Sequence, residues 1–237
     1  MSLTNLFRNL TVVAVLALMV SCQGNAEADT ATETTTETEA VGKTVSNTDT
    51  EAAPLGIKVG DKAPAFNLKG VDGKMYSFEN VKDADGNTPK GYVVTFTCNT
   101  CPYAVAYEDR LIELHNTTAA LGYPLIAIQP NDPELKEGDN FENMQQRATD
   151  KGFPFVYLMD EGQKIYPAYG ARYTPEVYLV DSDLILRYHG AIDDNAQDAD
   201  EVTVNYVEKA IEAINNGMNP DPADVKAIGC TIKTKKI

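Results

Sequence analysis

From Ile57 onward the chain alternates short apolar runs with longer amphipathic ones, and this alternation restricts it to a sheet packed against helices. Tyr92-Val93-Val94-Thr95-Phe96 reads as a buried strand, because it is short and built from β-branched and aromatic residues. Pro102 to about Asn116 reads as a helix with Tyr103, Tyr107, Leu111 and Leu114 along one face. Pro124–Gln129, Phe155–Met159 and Glu176–Val180 are further strands, and Leu184–His189 follows as a hairpin partner after the turn Asp181-Ser182-Asp183. Phe141–Asp150 is helical, and Val202–Asn215 is a closing helix that stops before Gly217. The order predicts one α/β domain over 56–217, a mixed central sheet flanked by helices, with a C-terminal extension over 218–237. No internal repeat is visible.

The first 55 residues follow different physics. Residues 1–21 read as an export signal: Arg8 supplies the positive start, and Leu10–Val20 is an apolar run far below the roughly 20 residues a spanning helix needs. Met19-Val20-Ser21-Cys22 resembles the lipobox of bacterial lipoproteins, which implies cleavage before Cys22 and lipid on that cysteine. The alternative is an ordinary cleaved signal. Residues 22–55 are then expected to be a disordered acidic tether: from Ala26 to Ala53 there are nine Thr, seven acids, one Lys and no aromatic residue, too little apolar surface to offset chain entropy. The predicted location is extracytoplasmic, with lipid as the sole membrane contact. The net charge is -15, of which -10 falls in residues 54–237, so nucleic acid is excluded as a partner and anionic lipid would repel the body of the protein.

The chemistry is concentrated at Cys98-Asn99-Thr100-Cys101-Pro102, where the strand gives way to the helix. A thiol at a helix start meets unpaired N–H groups and the positive end of the dipole, which favour the thiolate. Pro102 suits a first helical position, where its missing N–H costs nothing. Lipidation of Cys22 would leave Cys98, Cys101 and Cys230, an odd number, and an odd thiol in an oxidising compartment points to exchange chemistry or intermolecular pairing. A structural disulfide and half of a metal site are the alternatives for Cys98 and Cys101. A closed metal site needs about four ligands, and His115 and His189 are the only histidines.

Gly60-Asp61-Lys62-Ala63-Pro64-Ala65-Phe66, a buried strand, a Cys-x-x-Cys and a later Thr174-Pro175 together resemble the thioredoxin superfamily, in its redoxin and peroxiredoxin-like (AhpC/TSA) extracytoplasmic lipoprotein branch. The closing Gly229-Cys230-Thr231-Ile232-Lys233 is similar to a tail of such redoxins, and the likeness spans about 57–237. The resemblance implies a thioredoxin-like fold and a thiol–disulfide oxidoreductase with protein or small-molecule disulfide substrates, an external thiol reductant, and neither cofactor nor metal. It also implies that Thr174-Pro175 is a cis bond presenting the Thr174 backbone to a bound peptide or thiol.

In the thioredoxin pattern the attacking cysteine lies five residues beyond the strand's Phe. Counted from Phe96 this is Cys101, with Cys98 as the resolving thiol; the conventional assignment makes Cys98 the nucleophile. Ordinary thioredoxins bury an acid where this chain has Thr95, so Glu176 becomes a candidate acid or base. Thr95 and Cys98 also match the Thr-x-x-Cys spacing of peroxiredoxins, with Gly91 in place of their proline, and a thiol peroxidase would draw on Arg172 as its cation. A Cu(I) metallochaperone using His189 is a third reading. Cys230 is a resolving thiol, a capping disulfide, or a thiol with no role. The acidic run Asp193–Glu201 lacks the glycine and terminal glutamate of an EF-hand and reads as a solvated loop.

Overall fold

The computed structural model describes residues 56–235; the expected export signal, Cys22 and the acidic tether lie outside the described residues. In chain order the elements are β1 (Leu68–Gly70), β2 (Met75–Tyr76), β3 (Gly91–Phe96), α1 (Pro102–Ala106), α2 (Glu108–Ala120), β4 (Leu125–Gln129), α3 (Phe141–Lys151), β5 (Val156–Met159), α4 (Ile165–Tyr169), β6 (Tyr173–Thr174), β7 (Glu176–Asp181), β8 (Leu186–Gly190), α5 (Tyr206–Asn215), β9 (Asp224–Val225) and β10 (Cys230–Thr231). Eight strands form one sheet in the order β2-β1-β5-β4-β3-β7-β8-β9, and β10 pairs with β6 separately.

The mixed sheet follows from the connections. β3, β4 and β5 run parallel because helical segments carry the chain back between them. β7 lies antiparallel to β3, and β8 antiparallel to β7 across the short Asp181–Asp183 turn. β3 and β4 are buried at every position, as strands covered on both faces must be. Val94 and Phe96 face one core with Tyr169, Tyr178 and Leu158; Val93 faces the other with Leu111, Met144, Leu179 and Ile211. Each fully buried side chain of this size contributes about 1.5–3 kcal/mol. Gly91 opens β3 where an added Cβ would stand 2.3 Å from the Val180 carbonyl, so the backbone of β7 itself demands glycine there.

Two helices differ from their sequence limits, each for a local reason. The helix expected over 102–116 is broken at Tyr107 and runs on to Ala120. Tyr107 N–H is shared between Tyr103 O (3.1 Å) and Ala104 O (3.2 Å), its hydroxyl donates to Asp193 (2.6 Å), and the Arg110 guanidinium sits 3.6 Å over its ring. The closing helix starts at Tyr206 rather than Val202, because the Asp194 carboxylate accepts Thr203 N–H (2.9 Å) and Val204 N–H (3.0 Å) and holds them in a loop. Asp193 itself is not solvated as expected: it is buried, and besides Tyr107 it binds Arg110 at 2.8 Å.

The extension beyond residue 217 is built into the fold. β9 joins the sheet beside β8, and β10 crosses to β6 with Cys230 opposite Thr174. Lys233 ties the end of the tail down, its N–H donating to Asn131 Oδ1 (2.8 Å) while its carbonyl accepts from Asp132 N–H (2.9 Å).

Candidate active site

The fold brings Cys98, Cys101 and Cys230 into one cluster with Ala104 and Tyr103. Cys98 follows β3, Cys101 caps α1 with Pro102 in the first turn, and Cys230 arrives on the tail strand. Cys98 and Cys101 are both 3% exposed, while Cys230 is half-buried. All three are free thiols. Cys101 is the hub: it packs in one cluster with Cys98 and Cys230, and its sulfur meets the carbonyl of Thr174, the residue across the strand pair from Cys230.

The Thr174–Pro175 bond is cis, and Thr174 touches both thiols of the motif. Cys101 Sγ–H donates to the Thr174 carbonyl at 3.1 Å, and Cys98 Sγ lies 3.3 Å from Thr174 Oγ1. The protonated Cys101 therefore has one acceptor. Its thiolate has more partners: the Cys98 thiol first, and, against the opposing effect of burial, the Cys230 thiol and the N–H groups of Ala104 and Cys230. Together these donors outweigh burial, and the Cys101 pKa falls to about 4. Cys98 is driven up, because its thiol donates to Cys101, it is buried, and the Asp139 charge is near. Burial, then the contact with Cys101, raises Cys230 to about 11.

Asp139 was not singled out in the sequence, yet it shapes the motif. It is fully buried, and its Oδ1 accepts Asn99 N–H (2.9 Å) and Thr100 N–H (3.1 Å), while Oδ2 accepts Thr100 Oγ1–H (2.8 Å) and Asn131 Nδ2–H (2.7 Å). One carboxylate thus fixes the loop between Cys98 and Cys101. The same Asn131 receives Lys233 N–H, so the clamp and the cysteine-bearing tail share a residue. Tyr157 adds a bond from its hydroxyl to Asn99 Oδ1 at 3.0 Å.

Glu176 has no free carboxylate oxygen for the thiols. It is 4% exposed; Oε2 accepts Arg172 N–H (2.7 Å) and Tyr173 N–H (2.9 Å), and Oε1 pairs with His189 Nε2 (2.8 Å). It holds the Thr174–Pro175 loop rather than reaching the sulfurs. His189 is taken on its other side by Asp224 at 2.8 Å, so neither ring nitrogen is available to the cysteines. His115 Nδ1 accepts Leu125 N–H (3.2 Å). Thr95 is fully buried, and its hydroxyl has no hydrogen-bond partner among the described residues. Arg172 is exposed.

Cys98 lines a small pocket of about 10 Å3 together with Thr97, Asn99, Leu111, Tyr157 and the carboxylate-bearing Glu108. Glu108 is buried on α2 and forked by Arg147 at 2.6 and 2.8 Å. A space of this size holds about one water. Its helical position beside Tyr107 gave no sequence signal, since an acid in a first turn is ordinary.

The AhpC/TSA family model matches residues 59–189, more than half of the chain and inclusive of Cys98 and Cys101. The chain belongs to the AhpC/TSA family. Among solved structures, an uncharacterised conserved protein from Geobacillus kaustophilus is 34% identical, with a TM-score of 0.68, covering 75% of this chain and 93% of its own. A hypothetical protein from Sinorhizobium meliloti is 28% identical at the same TM-score of 0.68, covering 76% of this chain and 96% of its own. The thioredoxin domain of a thiol-disulfide oxidoreductase from Bacteroides vulgatus is 16% identical with a TM-score of 0.45, covering 55% and 86%. No curated protein matches the chain. The AhpC/TSA membership and the mixed α/β sheet agree with the expected thioredoxin-like fold.

Proposed function

We propose that this AhpC/TSA protein is a thiol–disulfide oxidoreductase in which Cys101 attacks and Cys98 resolves. The observation that carries the reading is the position of Cys101 at the start of α1, packed between the Cys98 and Cys230 thiols, a setting that favours its thiolate. The Cys101 thiolate attacks one sulfur of a substrate disulfide, forming a mixed disulfide and expelling the first substrate thiolate. Cys98 then loses its proton and attacks the Cys101 sulfur; the Cys98–Cys101 disulfide forms and the second substrate thiolate leaves. The substrate gains two electrons, and an external dithiol restores the pair by the reverse exchange. Substrates are protein or small-molecule disulfides, and no cofactor takes part.

The location proposed for this chemistry is outside the cytoplasm, with Cys22 carrying lipid. The peroxidase reading lacks its expected cation, because Arg172 is exposed and only its backbone N–H engages Glu176. The metallochaperone reading lacks its ligand, because both His189 nitrogens are bound to carboxylates.

The test is iodoacetamide labelling across pH, resolved by peptide mass, on Cys98→Ser and Cys101→Ser. Cys101 is expected to label at an almost constant rate from pH 8 down to about 5, and Cys98→Ser to trap a mixed disulfide at Cys101. A low-pKa thiol surviving in Cys101→Ser would assign the attack to Cys98. Oxidation by hydrogen peroxide faster than by any disulfide would favour the peroxidase.

A further inference from the structure

Cys101 has two partners, and they lie on different parts of the chain. Cys98 is three residues away on a loop that Asp139 holds rigid. Cys230 comes from the tail, where β10 pairs antiparallel with β6 and sets Cys230 directly across from Thr174, whose carbonyl touches Cys101 Sγ. This approach is closely fitted: a Cβ on Gly229 would stand 2.3 Å from the Thr174 carbonyl oxygen and 2.7 Å from its carbon. Ile232 N–H donates to Arg172 O (3.0 Å) and Lys233 N–H to Asn131, so the chain is also held immediately after Thr231. The tail therefore occupies the strand edge at Tyr173–Thr174, which an extended substrate segment would otherwise use to bring its cysteine to Cys101.

The geometry points to Cys230 as a third working thiol, which takes Cys101 from Cys98 and locks the tail strand onto the substrate edge with a Cys101–Cys230 disulfide. The inference rests on the oxidoreductase reading above. Once the Cys98–Cys101 disulfide has formed, Cys230 loses its proton and its thiolate attacks the Cys101 sulfur. The Cys101–Cys230 bond forms, the Cys98–Cys101 bond breaks, and Cys98 leaves as a thiolate that is reprotonated; no electron is gained or lost by the protein. In that form the tail is stapled over Thr174 and Cys98 is again a free thiol. An external dithiol attacking the half-buried Cys230 side removes the staple and leaves the tail on the edge by strand pairing alone. Cys98 and Cys230 share one cluster with Cys101, whose single sulfur holds one disulfide at a time, so the two disulfides are mutually exclusive states of one hub.

The experiment oxidises the full-length reduced protein with one equivalent of oxidised glutathione, blocks free thiols with N-ethylmaleimide, and maps tryptic peptides. Cleavage after Lys90, Arg110, Lys226 and Lys233 puts Cys98 and Cys101 in one peptide and Cys230 in another. Wild type is expected to give both the internally bridged 91–110 peptide and its cross-link to 227–233. Cys98→Ser should give the cross-link alone, Cys230→Ser the internal bridge alone, and Cys101→Ser neither. Gly229→Ala, which alters no thiol, should keep the internal bridge and lose the cross-link. If Cys98→Ser stops at glutathione on Cys101, and wild type yields only the internal bridge, Cys230 is no working thiol while the oxidoreductase reading stands. If wild type forms no intramolecular disulfide at all, the oxidoreductase reading fails first.

Discussion

At the scale of single residues, the proposed chemistry rests on the asymmetry of the two motif thiols, which has a thermodynamic signature. A Cys101 that ionises near pH 4 in the folded chain and near about 8.5 when unfolded adds stability that is complete above the unfolded value and is lost as pH falls toward the folded one. Cys98 and Cys230, held protonated, act in the opposite direction above about pH 8.5. The reduced wild type should therefore gain stability relative to Cys101→Ser between pH 5 and 8, measured as the difference in denaturation midpoint; a flat difference would deny the thiolate. Glu108, buried on α2, has both oxygens engaged by Arg147 and acts on the site through packing. Glu108→Gln breaks that buried pair and should lower the denaturation midpoint by the equivalent of about 3 kcal/mol while leaving both exchange steps unchanged, read by stopped-flow with a chromogenic disulfide. A slowed resolution step at unchanged stability would instead give Glu108 a part in moving the Cys98 proton. The motif, Thr174 and Pro175 were legible in the sequence because they are contiguous and sit at element boundaries. Asp139, Asn131 and Glu108 were not, because their roles come from hydrogen bonds to residues up to 102 positions away.

Elements were legible in proportion to their length. β3, β4, β5, β7 and α3 carry four or more residues of clear period, and the sequence places them within about two residues of their observed limits. The two-residue strands β2, β6, β9 and β10 carry no period, and only their partners define them. The tail strands gain that definition through a side-chain relay: Glu176 on β7, His189 on β8 and Asp224 on β9 are joined by two 2.8 Å contacts. Burial works against a charged His189, but the two carboxylates more than offset it and raise its pKa. A raised folded pKa contributes stability that is fully present below the unfolded value of about 6.5 and is lost as pH rises through the folded value. His189→Gln should therefore cost more stability at pH 5.5 than at pH 8.5 relative to wild type, and it should speed hydrogen exchange in the 224–225 segment. A pH-independent cost would show that the ring acts only as a spacer between strands.

For the whole molecule, charge and chemistry separate the question of where the protein sits from what its site does. Residues 54–237 carry a net charge of -10, so the folded body has no electrostatic attraction to an anionic membrane and is repelled by it within about a Debye length. Among the described residues no helix is long and apolar enough to cross a membrane. The proposed means of membrane association is lipid on Cys22. In cells that express the full chain, wild type should sediment with membranes and stay there through a high-salt wash, because acyl burial is insensitive to screening. Cys22→Ser should shift to the soluble extracytoplasmic fraction, and its reaction with a small disulfide should match wild type, since the cluster of Cys98, Cys101 and Cys230 is built by residues of the folded body. A Cys22→Ser protein that remains membrane-bound would overturn the lipid assignment. One that leaves the membrane and also loses its disulfide chemistry would show that the first 55 residues serve the site directly.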